Sequence, residues 1–195
     1  MKNLKLFVLL LSVGLMSYSC KNDDDGGSSS GSGVVIYGDT EIQLKSGVIM
    51  DYGEYMDGIY NFDITLVDTQ VRTVDGYPFP TEDVFSGVYF ELFTSNVSDL
   101  QVGTYSFGSA DAGGYEYAEV YINATIEQDE GISINSGSFS VLDNGSSYEL
   151  EFEGTTSDGT AFSGSFSGPL RAYDFSDEFG RPAEEGASKP RLFFR

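Results

Sequence analysis

Tyr115-Glu116-Tyr117-Ala118-Glu119-Val120-Tyr121-Ile122-Asn123-Ala124-Thr125-Ile126-Glu127 is the stretch that decides the fold class. Ala118, Val120, Ile122, Ala124 and Ile126 share one side of a period of two; Tyr117, Glu119, Tyr121, Asn123 and Thr125 share the other. Successive side chains of a strand point to opposite faces, so this segment reads as a strand with one dry and one wet face. The pattern recurs on both sides of it. Tyr60, Phe62, Ile64 and Leu66 alternate with Asn61, Asp63 and Thr65, and Val88, Phe90 and Leu92 alternate with Tyr89 and Glu91. Leu150 and Phe152 alternate with Glu149, Glu151 and Glu153. No window carries helical periodicity.

Turn signals separate these runs at Asp57-Gly58, Gly113-Gly114, Glu130-Gly131, Asp143-Asn144-Gly145 and Asp158-Gly159. Near Ser136-Gly137 the apolar phase slips from Ile132 and Ile134 to Phe139 and Val141, as one inserted residue at a bulge requires. The expected strands cover 41–52, 58–68, 86–94, 102–107, 115–127, 131–142, 147–154 and 160–170. The expected fold class is therefore all-β: about eight antiparallel strands, arranged as a calycin-like meander barrel or as a two-sheet sandwich.

The chain of 195 residues has 10 Lys+Arg against 31 Asp+Glu, a formal charge of −21. Such a polyanion repels a phosphate backbone, which excludes nucleic acid as a partner. Between 34 and 170 the bases are only Lys45 and Arg72. With no histidine, Ser-His and Cys-His catalysis and imidazole metal sites are excluded. The lone cysteine, Cys20, forms neither an internal disulfide nor a thiolate zinc site. Calcium would suit the carboxylates, yet no loop carries the alternating acidic spacing of a calcium loop, so no metal and no cofactor are expected. Glu149, Glu151 and Glu153 fall about 7 Å apart on one wet face, where nothing raises one pKa to make a general acid. The chain is not expected to be an enzyme.

The N-terminus reads as an address. Lys2 and Lys5 precede an apolar run from Leu6 to Met16, too short to span a bilayer but of secretory length. Ser17-Tyr18-Ser19-Cys20 follows and resembles a bacterial lipoprotein signal. That resemblance implies a signal peptide over 1–19 and a diacylated Cys20 as mature N-terminus. Lys21-Asn22-Asp23-Asp24-Asp25 is similar to the export signal of surface-exposed Bacteroidota lipoproteins, which implies an outer-membrane location facing outward. Gly103-Thr104-Tyr105 and the closing run from Ser163 to Leu170 are also similar to the ends of small β domains in such lipoproteins.

Four parts follow: the signal peptide, the lipidated Cys20 with an acidic Gly/Ser tether over 20–33, a β domain over 34–170, and an irregular tail over 171–195. A flexible tether of that length reaches about 20 Å. The expected ligand-binding residues are Tyr117, Glu119 and Tyr121 on one strand, Tyr89 on another, and Tyr77 and Phe79 in the long segment 69–85. Tyrosine suits sugar stacking and protein contact because a flat apolar ring ends in a polar tip. The expected function is a membrane-anchored, surface-displayed binding domain for a glycan, small molecule or protein, with an accessory subunit of an outer-membrane complex as the alternative.

Overall fold

The computed structural model describes residues 30–127 and 131–179, through which thirteen strands and one helical turn run. The first seven strands are β1 (Ser32–Tyr37), β2 (Thr40–Leu44), β3 (Ser46–Met56), β4 (Ile59–Val67), β5 (Val71–Val74), β6 (Tyr77–Pro80) and β7 (Val84–Thr94). The rest are β8 (Gly103–Phe107), β9 (Gly114–Thr125), β10 (Ile132–Asp143), β11 (Tyr148–Thr156), β12 (Ala161–Gly168) and β13 (Arg171–Asp174), followed by α1 (Ser176–Phe179). The signal peptide, Cys20 and the tether up to residue 29 lie outside the described residues, as does the tail beyond 179.

Eleven strands form one sheet in the order β13-β3-β4-β7-β9-β8-β10-β11-β12-β1-β2, which curls into a half-barrel. β5 and β6 form a separate two-stranded ribbon. Covalent continuity ties the ends of the large sheet together. β2 runs through Lys45 into β3, and β12 runs through Pro169 and Leu170 into β13. β1 is wedged between β12 and β2, and β13 pairs directly with β3. At this corner Gly31 N donates to Lys45 O (3.2 Å) and Lys45 N donates to Val67 O (2.8 Å). The approach is close enough to demand glycine: a Cβ on Gly168 would stand 2.4 Å from Gly31 Cα.

The all-β expectation holds, and several details change. Thirteen strands replace eight. The expected strand over 41–52 is the end of one hairpin and the start of the next, divided at Lys45. β1 begins at Ser32, inside the expected tether. Segment 69–85 contains a hairpin, and the first residues of the expected irregular tail form β13 and α1. Pairing is mostly antiparallel, but β13–β3 and β8–β9 are parallel. The expected bulge is present: register shifts between Ile134 and Ser136. Gly137 beside it has φ 142°, and a Cβ there would meet Glu153 O at 2.1 Å.

Two apolar clusters hold the fold. The larger fills the concave side, where Phe90 packs against Phe139 (centroids 4.8 Å), Phe152 (5.5 Å) and Tyr115 (5.6 Å, edge-on). Edge and offset contacts of this kind add about 0.5–1.5 kcal/mol each beyond simple burial. The smaller cluster lies on the other face of β3, β4, β7 and β9 and includes Val48, Met50, Tyr52, Phe85, Tyr89, Tyr121 and Phe175.

Candidate functional site

On the outer face of β3, β4, β7 and β9, strand register sets two cross-strand rows. One is Met50-Asp63-Glu91-Tyr117 and the next is Val48-Thr65-Tyr89-Glu119. Asp63 and Glu91 stand directly opposite each other, a like-charge pairing that disfavours the sheet unless other contacts offset it. Tyr89 donates to Asp63 Oδ2 (2.5 Å), Asn61 Nδ2 donates to Asp63 Oδ1 (3.0 Å), and Tyr121 donates to Glu119 Oε2 (2.6 Å). Hydrogen bonds to a carboxylate contribute about 1.5–3 kcal/mol, against several kcal/mol for taking the ion out of water. The two terms are of similar size, and the rings packed around these carboxylates add to what the polar contacts supply.

The cover comes from the β5–β6 ribbon and from β13 with Phe175. Asp75 and Gly76, at φ 52° and 89°, make the two-residue turn between Val74 and Tyr77. Both angles are those of a type I′ hairpin, and Asp-Gly is its preferred sequence. Pro78 and Pro80 are tolerated because β6 pairs on one side only. Tyr77 stacks on Phe175 at 5.2 Å, and Thr73 shares a 2.9 Å hydrogen bond with Tyr173. Arg171 Nη1 donates to Val71 O (3.0 Å), and Thr69 and Thr81 hydroxyls meet at 2.9 Å where the ribbon leaves the sheet.

The sequence-predicted residues are thus mostly brought together, but under cover. Tyr89 is 7 % exposed, Glu119 1 % and Tyr121 4 %. Tyr117 is half-buried, with its ring edge-on to Tyr89 at 5.8 Å. Tyr77 and Phe79 are half-buried on the ribbon itself, Phe79 opposite Arg72. The expected wet face is corrected here. Asn61, Asp63 and Thr65 are buried as well, because the ribbon and Phe175 lie on the polar side of the strands. Burial first, then the charges of Asp63 and Glu91, push the Tyr89 phenol well above its ordinary value of 10.0. Tyr52 is raised for the same reasons in the same order. These phenols are held as donors.

Among the described residues, nothing covers the outer face of the other half of the sheet. Glu149, Glu151 and Glu153 are exposed along β11, as the alternation predicts, with Leu150 and Phe152 turned inward. Register places Ser140-Glu151-Ser165-Val34-Gln43 in one row across five strands. The neighbouring row is Ser138-Glu153-Ser163-Ile36-Glu41. Two grooves of about 600 and 420 Å³ lie over these rows and share Val34, Ile36, Glu151 and Ser165. The serine columns and the Val34/Ile36 strip were not singled out from sequence. Their signal is the serine alternation in Ser163-Gly164-Ser165-Phe166-Ser167, which marks an exposed face without any large side chain.

This arrangement defines an acidic, all-β domain with one apolar cluster inside the curl and a second on the outer face of β3, β4, β7 and β9. No helix among the described residues is long and apolar enough to cross a membrane, and none of their His, Cys, Asp and Glu side chains group as a metal site. Comparison with protein-family models, curated proteins and solved structures found no match.

Proposed function

We propose that this chain is a lipid-anchored lipoprotein of the outer membrane, displayed at the cell surface, whose β domain binds a ligand without catalysing a reaction. The anchor rests on Ser19-Cys20 after the apolar run, and the display on Lys21-Asn22-Asp23-Asp24-Asp25. Each buried acyl methylene contributes about 0.8 kcal/mol, so two or more chains on Cys20 hold stably where one holds marginally. The observation that carries the binding role is the grooved face of β10, β11, β12 and β1, which the other described residues leave uncovered. Aromatic side chains occupy the inside of the curl, so the ligand is a partner for the outer surface. The curled sheet is read as barrel-like rather than as a sandwich, on the strength of the two covalent corners at Lys45 and Pro169.

Protease shaving of intact cells expressing wild type and Cys20→Ala tests the placement. Wild type is expected to be lost to external protease, and Cys20→Ala to leave the membrane fraction. Full protection of wild type contradicts surface display. Persistence of Cys20→Ala in carbonate-washed membranes contradicts the lipid anchor.

A further inference from the structure

We infer that the open face of β10, β11, β12 and β1 docks an extended basic segment of a partner protein, with Lys or Arg at alternate positions; this names the ligand class of the binding reading above and rests on it. The relief of the face comes first. Serine ends one atom beyond Cβ and glutamate three, so Glu149, Glu151 and Glu153 form a ridge between the Ser138/Ser140 and Ser163/Ser165/Ser167 columns. Beyond the second serine column Val34 and Ile36 form an apolar strip, with Ile36 44 % exposed. The two grooves run along this relief and join at Glu151 and Ser165.

Charge and period then select the occupant. Glu41, Glu149, Glu151 and Glu153 line the grooves, and no Lys or Arg does. Alternate residues of any strand recur every 6.8 Å or so, so a second extended chain laid along β11 stays in step with its glutamates. A helix, at about 5.4 Å per turn, drifts out of step within two contacts. The aliphatic stems of lysine also suit the Val34/Ile36 strip while their ammonium groups reach the ridge. Exposed ion pairs are individually weak and screened by salt, so recognition requires the whole column. The contrast with the other half is instructive: there the polar side of the same sheet carries tyrosines and is already occupied by the chain's own ribbon.

The test uses the full chain carrying Cys20→Ala and fluorescence anisotropy at low salt. The probes are a ten-residue peptide of alternating Lys and Ser, and a block peptide of five Lys followed by five Ser. The alternating peptide is expected to bind at least tenfold more tightly. Glu149→Gln/Glu151→Gln/Glu153→Gln should weaken it about tenfold, whereas Asp57→Asn/Glu82→Gln/Asp83→Asn, which removes as much exposed charge elsewhere, should change it less than twofold. Equal affinity for both peptides, or equal loss in both triple variants, overturns the inference in favour of bulk charge attraction. Failure of both peptides overturns it too. If a glycan or peptide array still retains some other ligand, the binding-domain reading survives that failure; if nothing is retained, both fall.

Discussion

The β3–β4–β7–β9 half and the β10–β11–β12–β1 half are written in the same alternating grammar, yet they end in opposite environments. Along β4 every residue from Asn61 to Val67 is buried, whereas along β11 burial alternates residue by residue. The difference lies in what the polar register carries. On the covered half tyrosines stand among the polar residues, and Asn61, Asp63, Tyr89, Glu119 and Tyr121 find hydrogen-bond partners within the cluster, whereas the buried Thr65 hydroxyl has none. On the open half it holds serine and glutamate beside the Val34/Ile36 strip; these offer a cover no aromatic ring, and burying the glutamates without partners would leave charges unpaired. One sheet thus uses its outer face in two ways, once as a second core and once as a face that the other described residues leave open.

Side-chain removal should separate the halves most sharply. Tyr121→Ala deletes a ring packed on Phe85 at 5.8 Å and removes the phenol that donates to buried Glu119. It is expected to cost about 3–5 kcal/mol in urea unfolding. Glu151→Ala on the open half should stay within about 0.5 kcal/mol in the same assay. Comparable losses at the two positions would erase the distinction.

The cover itself is the next target. Phe175→Ala removes the ring on which Tyr77 stacks and which faces Tyr52 at 5.7 Å. A loss of about 2–3 kcal/mol is expected, with faster amide exchange in β5 and β6 than in β11 and β12.

Alkaline pH probes the covered half without mutation. Tyr52 and Tyr89 have phenols raised above 10.0, so in base the folded state keeps protons that the unfolded chain has released. Their contribution is fully present below pH 10 and falls as pH rises beyond it, by about 1.4 kcal/mol per unit for each phenol held neutral. Absorbance at 295 nm should show these tyrosines ionising only as the fold is lost; ionisation near pH 10 with the fold intact would contradict their burial.

A smaller effect isolates the ribbon. Gly76→Val forces a β-branched residue to φ 89° at the Asp75-Gly76 turn and should cost about 1–2 kcal/mol. The change should register in the exchange of β5–β6 amides before that of the large sheet.

Much of this fold is legible in the sequence because inward-facing positions alternate along most strands; the alternation breaks in β9 at Asn123 (φ 48°), beyond which Ala124, expected inward, joins the outer cluster with Tyr121. Phe62, Ile64 and Leu66, or Ala118 and Val120, point inward as the period demands, and the phase slip at Ser136-Gly137 marks a real bulge. What stays hidden is non-local. β13 is short and pairs in parallel with a strand about 120 residues earlier, which no local pattern announces. The Tyr37-Gly38-Asp39-Thr40 turn, where Gly38 has φ 56°, separates β1 from β2, and the expected strand over 41–52 leaves β1 out and joins β2 to β3. The Asp75-Gly76 signal was likewise in view within a segment read as a loop. Alternation tells which side of a strand is polar, but not whether another segment lies on it. Tyrosine in the polar register, at Tyr52, Tyr89, Tyr117 and Tyr121, was the available hint, because each ring carries enough apolar area to reward a cover.

Hydroxyl-radical footprinting of the full chain, read by mass spectrometry, tests the two-sided account most directly. Tyr89, Tyr121 and Phe85 should be protected to the degree of Phe90 in the main core, while Val34, Ile36 and Leu142 on the open half are oxidised. Oxidation of Tyr89 and Tyr121 at the rate of Ile36 would contradict it, and would return the tyrosine face to the solvent.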